Sequence, residues 1–148
     1  MNLVERAKNI LLTPTKEWEA IKNEGTSVGE LFTKYAVILA AIPAVAGFLG
    51  FILYGVFIGH SILWAVLEYI FGLVSLYVLA VIVDALAPSF GSTKNMTDSF
   101  KVVVYSMTAS WVGGVFLLVP YLNPLYFLAS IYSLVLFYFG LKTVKSPP

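Results

Sequence analysis

Four long apolar stretches separate this chain from an ordinary soluble domain. They cover residues 35–59, 62–87, 99–119 and 125–141. A helix of roughly 17–25 residues spans the hydrocarbon core of a bilayer, whereas the strands of a membrane barrel are shorter and alternate between apolar and polar residues. The sequence therefore predicts an all-α fold: a polytopic transmembrane helix bundle with four spans. We divide the chain into an N-terminal arm, residues 1–34, and a membrane domain, residues 35–148.

The composition is typical of a membrane protein, and it excludes several kinds of catalytic and metal-binding site. Charged residues make up 11% of the chain and apolar residues 59%, whereas soluble domains average about 25% and 45–50%. The sequence has no cysteine, which excludes disulfides, thiol nucleophiles and cysteine-ligated metals. Because His60 is the single histidine and the net charge is only +1, we predict no metal site, no cofactor and no nucleic-acid partner.

The basic residues predict the orientation in the membrane. All nine lysine and arginine residues lie on one side of the predicted bundle, before the first span, in the connection 88–101 or after the last span. Loops rich in lysine and arginine stay in the cytoplasm. We therefore predict a multi-pass protein of the cell's inner (cytoplasmic) membrane, in contact with its lipid bilayer, with both termini in the cytoplasm.

The arm has the pattern of two short amphipathic helices. The apolar residues of the first recur with the period of one helical face: Leu3, Val4, Ala7, Ile10 and Leu11. Arg6 is assigned to the opposite, polar face. Pro14 fits the first position of a second helix, whose apolar side carries Trp18. Two interpretations follow: the helices lie in the membrane interface with Trp18 as a headgroup-level anchor, or they pack against the cytoplasmic ends of the bundle.

Local signals predict where the first span begins, bends and ends. Ser27, with Glu30 three residues later, forms a capping box ahead of this span. Pro43 lies inside it, where the missing backbone N–H predicts a kink. The outward-facing turn that follows is predicted around His60.

Glu68 and Asp84 interrupt the second span with charge, and ionisable residues inside a membrane are costly and often functional. At 100° per residue their separation places them about 160° apart on a helix, so they do not form one carboxylate pair. Asp84 is predicted to be structural, as a cap or in an ion pair with Lys101. Glu68 is predicted to be hydrogen-bonded or snorkelling; the alternative is a proton or cation site. His60 is predicted to be a solvated loop residue rather than a metal ligand with Glu68.

Small residues repeat every four positions on two of the spans. The first span carries Ala40 and Ala44 and then Gly47; the third carries Ser106, Ser110 and Gly114. Such stripes let helix backbones approach closely, and serine hydroxyls are available as donors across the contact. We predict close packing of the first helix on the third, with a homo-oligomer contact as the competing interpretation.

Several strings occur in an order that resembles one family. They are residues 12–21 (LTPTKEWEAI), 84–91 (DALAPSFG), 101–111 (KVVVYSMTASW) and 140–142 (GLK). The set resembles the prokaryotic branch of the YIP family, the Ypt/Rab-interacting membrane proteins. The resemblance implies a helical polytopic membrane protein whose eukaryotic relatives bind prenylated Rab-type GTPases in vesicle traffic, and it implies no catalytic site.

The sequence is compatible with two functions. The first is a non-enzymatic membrane interaction or organising protein that recruits protein partners or lipid. It rests on the family resemblance, the amphipathic arm and the lack of catalytic motifs. The alternative is a small oligomeric transporter or channel that uses Glu68.

Overall fold

The computed structural model describes residues 2–146, and within them the chain is helical with no strand. Two short helices, α1 (Leu3–Leu12) and α2 (Pro14–Lys22), form the arm. Four long helices follow: α3 (Val28–Leu53), α4 (Ile58–Phe90), α5 (Met96–Leu118) and α6 (Pro120–Val144). Each of the four is long and apolar enough to cross a membrane. The predicted all-α polytopic bundle is confirmed.

The first long helix begins earlier than its apolar stretch suggests. The Ser27 hydroxyl accepts a hydrogen bond from the Glu30 backbone N–H at 3.1 Å, so the capping box starts α3 at Val28. The helix is interrupted at Ala40. The ring of Pro43 clashes with the carbonyl four residues earlier in a regular helix, which accounts for an interruption at this point.

The turn between α3 and α4 lies at residues 54–57, before the position predicted for it. Gly55 has a φ of +80°, a backbone conformation that glycine adopts without steric cost. Residues 54–57, expected in the first span, therefore belong to the turn. His60 lies in the first turn of α4, exposed, with its ring 5.8 Å from that of Phe57.

Helix α5 is the centre of the bundle. In an apolar segment of 18 residues taken from each helix, 67% of the residues of α5 are buried, compared with 22% for α4 and 17% for α6. Phe100, Val102 and Val104 have no exposed surface. Helices α3, α4 and α6 pack around α5, and the hairpin formed by α1 and α2 packs against α5 and α6. The arm is thus part of the bundle.

Candidate functional site

The hairpin formed by α1 and α2, called the arm hairpin, packs along one side of α6. The Tyr132 hydroxyl donates to the Leu11 carbonyl at 2.6 Å. Trp18 is fully buried, and a Cβ added to Gly140 would lie 2.8 Å from its ring. Trp18 also meets the edge of Tyr105, with ring centroids 6.4 Å apart. A side chain with no exposed surface does not reach lipid headgroups, so the role of Trp18 as an interfacial anchor is wrong, and the packing alternative describes the arm.

A buried ion cluster holds the two arm helices together. The Arg6 guanidinium donates to the Glu17 carboxylate at 2.5 Å and to that of Glu24. It also lies 5.3 Å from the ring centroid of Tyr105 on α5, within the range of a cation–π contact. Arg6 and Glu17 are only 4% and 5% exposed. The assignment of Arg6 to the polar outer face is therefore wrong.

Lys101 of α5 fixes the end of the arm. Its ammonium donates to the backbone carbonyls of Ile21 at 3.2 Å and Glu24 at 2.7 Å. The Ile21 carbonyl lies in the last turn of α2, where a cation is favoured by the helix dipole, and Glu24 follows two residues after the helix ends. Its nearest carboxylate is that of Asp98, at 3.8 Å. The predicted Asp84–Lys101 ion pair is wrong.

Asp84 instead joins the C-terminal part of α4 to the start of α5 and to the residue that follows α6. Its carboxylate accepts from the Asn95 backbone N–H at 2.7 Å and from the Ser99 hydroxyl at 3.1 Å. The Lys145 ammonium lies 3.8 Å from the same oxygen. This geometry is that of a structural carboxylate.

Two tyrosines, Tyr35 and Tyr105, lie next to these charged groups. The Tyr35 hydroxyl shares a 2.6 Å hydrogen bond with that of Thr108. The Tyr35 ring lies 4.9 Å from Tyr105 and 6.4 Å from Trp111, centroid to centroid. The cluster of Arg6, Glu17, Glu24, Lys101, Tyr105 and Tyr35 is called the arm junction below.

A cavity of about 340 Å³ lies over the arm junction, between α1 and the start of α3. Its walls carry both signs of charge, from Arg6, Lys34, Glu24 and Glu30. Arg6 is already paired with two carboxylates. Because the charges of opposite sign offset each other, the cavity does not favour tight binding of a single anion or cation.

Glu68 lies apart from these groups, half-buried on α4. Tyr126 of α6 is an electrostatic neighbour. Within residues 2–146 the Glu68 carboxylate has no hydrogen bond or ion pair. The structure therefore does not unite Glu68 with Asp84 or Lys101, and residues 2–146 contain no cluster of histidine and carboxylate groups fit for a metal.

The small residues lie at three different helix contacts. A Cβ on Gly114 of α5 would be 2.6 Å from that of Pro43 on α3, so these helices approach closely. Gly47 faces the Trp64 ring of α4 instead. The Ser110 backbone N–H and hydroxyl both bond to the Ser133 hydroxyl of α6, each at 2.9 Å.

The remaining members of both stripes also lie inside the bundle. Ala40 and Ala44 are buried, and the buried Ser106 hydroxyl donates to the Val103 carbonyl at 2.9 Å. The third-helix stripe thus divides its contacts between α3 and α6.

Reasoning from the sequence missed Arg6, Glu17, Tyr35 and Thr108. A signal for Arg6 was present, since Leu3, Arg6 and Ile10 follow the i, i+3, i+7 period of one face. Tyr35 and Thr108 are 73 residues apart, and no local pattern indicates their contact.

Comparisons with known proteins agree with the architecture. The chain matches the Yip1 domain over residues 8–147, from α1 to just beyond α6. No curated protein and no solved structure matches it. The chain belongs to the Yip1 domain family of multi-pass membrane proteins.

Proposed function

We propose that this protein is a non-catalytic membrane interaction protein that recruits a protein partner, with lipid, at the cytoplasmic face of the inner membrane. Its docked arm presents the recruiting surface. Both termini face the cytoplasm in this proposal, because every lysine and arginine lies at the arm end of the bundle.

The arm junction is the observation that carries the proposal. Its ionisable groups are bound to internal partners: Arg6 to two carboxylates, and Lys101 to two carbonyls. Such groups hold the hairpin rigidly and leave its outer face to meet a partner. That face is charged with both signs, through the exposed side chains of Glu5, Lys8, Lys16 and Glu19. A rigid surface binds with less loss of conformational entropy than a mobile tail.

Site-specific photo-cross-linking in cells tests the arm surface. A photoreactive residue is placed at Lys8 or at Lys16, both exposed on the arm. The matched control is Thr93, exposed in another loop on the predicted cytoplasmic side. We expect one discrete protein adduct from the arm positions and none from Thr93. Equal adducts at all three positions, or none on the arm, would contradict the proposal, and the adduct mass distinguishes a second copy of this chain from another protein.

One observation favours the alternative, a small oligomeric transporter or channel. The Glu68 carboxylate is half-buried in a membrane-spanning helix and has no hydrogen-bond or ion-pair partner within residues 2–146, and ionisable residues inside a membrane often belong to ion or proton pathways. Purified protein in proteoliposomes tests it. Proton or cation flux that Glu68→Gln abolishes would establish the alternative, with Glu19→Gln on the exposed arm as the matched control.

A further inference from the structure

Helices α4 and α6 leave a gap between them at the cytoplasmic side. Each packs against α5, but within residues 2–146 they have no extended contact with each other. Three cavities of about 370, 300 and 190 Å³ occupy the gap. Neighbouring cavities share walls: Phe90 and Leu141 line the first and second, and Leu79 and Phe137 line the second and third. The shared residues place the three cavities end to end along the gap, which is named the α4–α6 groove.

The groove has the length of a lipid chain and is mostly apolar. Serines line its deep end, where the hydroxyls of Ser106, Ser110 and Ser130 donate to partners inside the bundle. The walls of its middle section are entirely apolar, among them Ile82 and Leu86 of α4. Along α6 it runs from Lys142 to Ser130, twelve residues or about 18 Å at 1.5 Å per residue. One leaflet of the hydrocarbon core is about 15 Å deep. A single acyl chain therefore matches the groove from the membrane surface to the bilayer centre.

The cytoplasmic mouth of the groove carries an uncompensated positive charge. Lys142 and the Ser146 side chain line it. Lys145 also lines the mouth, but Asp84 lies 3.8 Å from its ammonium and the Thr93 carbonyl accepts from it at 2.7 Å. Lys142 is exposed and has no ion pair within the described residues. The exposed Lys94 follows Thr93 in the same loop.

We propose that the α4–α6 groove binds one anionic phospholipid from the surrounding membrane. One of its acyl chains lies between α4 and α6, and its phosphate meets the Lys142 ammonium. Basic pockets between membrane helices on the cytoplasmic side recognise anionic headgroups in this way. The inference names the lipid class for the proposed function and rests on it only for the membrane placement and orientation of the helices.

Native mass spectrometry of the detergent-purified full chain tests the proposal. Phosphatidylglycerol and phosphatidylcholine with identical acyl chains are titrated separately, and bound lipids are counted per chain. We expect one phosphatidylglycerol bound in preference to phosphatidylcholine. Lys142→Ala should weaken phosphatidylglycerol about fivefold, the effect of losing one lysine near an anionic surface, and should leave phosphatidylcholine unchanged. Lys22→Ala, which removes an exposed lysine of the arm, is the matched control.

A second pair of variants tests the chain-binding part. Leu79→Trp places a larger side chain in the wall shared by two cavities and should reduce binding of both lipids. Val81→Trp is the control, since Val81 is exposed on α4 and lines none of the three cavities. Thermal melting of each variant shows that the fold is kept.

Three results would overturn the proposal. They are equal binding of the two lipids, unchanged binding after Leu79→Trp in a folded protein, and a dimer that Leu79→Trp disrupts, which would make a second copy the occupant. Loss of the arm cross-links would count against the proposed function instead, so the two failures are distinguishable.

Discussion

Replacing Arg6 with methionine is expected to release the arm from the bundle. The substitution keeps an unbranched side chain of similar length but leaves the Glu17 carboxylate, which is 5% exposed, without its 2.5 Å partner. Removing one member of a buried ion pair costs about 3–5 kcal/mol. Loss of the cation–π contact to Tyr105 adds about 0.5–2 kcal/mol. Glu24 contributes less, because its side chain is 38% exposed and reaches water.

A single-cysteine reporter measures this release directly, since the chain has no cysteine of its own. Ala7 is 8% exposed on the docked face of α1, so a thiol introduced by Ala7→Cys reacts with a water-soluble maleimide only when the arm opens. At about 1.4 kcal/mol per tenfold, the ion-pair loss of about 3–5 kcal/mol alone predicts labelling faster by roughly two to three and a half orders of magnitude, and the cation–π contact increases this factor. Lys8→Met, which removes an exposed cation from the same helix, should change the rate less than about twofold.

The double variant Arg6→Met with Glu17→Met separates ion pairing from packing. Replacing both members of a buried ion pair with apolar residues is often neutral or stabilising. The double variant should therefore recover most of the slow labelling that Arg6→Met alone loses. Unchanged labelling in Arg6→Met, or a double variant as fast as the single one, would refute the view that the buried pair holds the arm.

Two further predictions address packing and orientation. Gly114→Leu should lower the melting temperature in detergent more than Leu117→Phe, because the new side chain overlaps Pro43 and overpacking costs about 1–3 kcal/mol; equal melting temperatures would exclude this close contact. In sealed cells, an impermeant thiol reagent should label His60→Cys from outside and should leave Lys94→Cys unlabelled until the cells are opened. The reverse pattern would invert the proposed topology.

The four membrane-spanning helices were predictable from sequence because one property, sustained apolar length, determines them. Their ends were less accessible. The first turn was expected near His60, whereas the positive φ of Gly55 sets it several residues earlier. Hydropathy alone does not distinguish the end of one helix from the start of the next when the turn itself contains Tyr54 and Phe57.

The arm shows where local patterns stop being informative. Helical periodicity identifies which residues share a face, but it does not identify what covers that face, and so both environments for Trp18 remained open. Lys101 was paired with Asp84 because opposite charges were sought, whereas its closest partners are backbone carbonyls 77 and 80 residues away. Every residue carries a backbone carbonyl, so the sequence does not indicate which carbonyl a lysine binds.

The contact between Leu11 and Tyr132 sets an order of events during synthesis. These residues are 121 positions apart, so the hairpin emerges from the ribosome long before α5 and α6 exist to receive it. At about 5–20 residues per second, the wait lasts roughly 6–24 s. During that time Ile10, Trp18 and Ile21, all fully buried in the finished protein, face water, the bilayer or a chaperone. Docking of the hairpin is thus a late step, because it waits for the synthesis of α6.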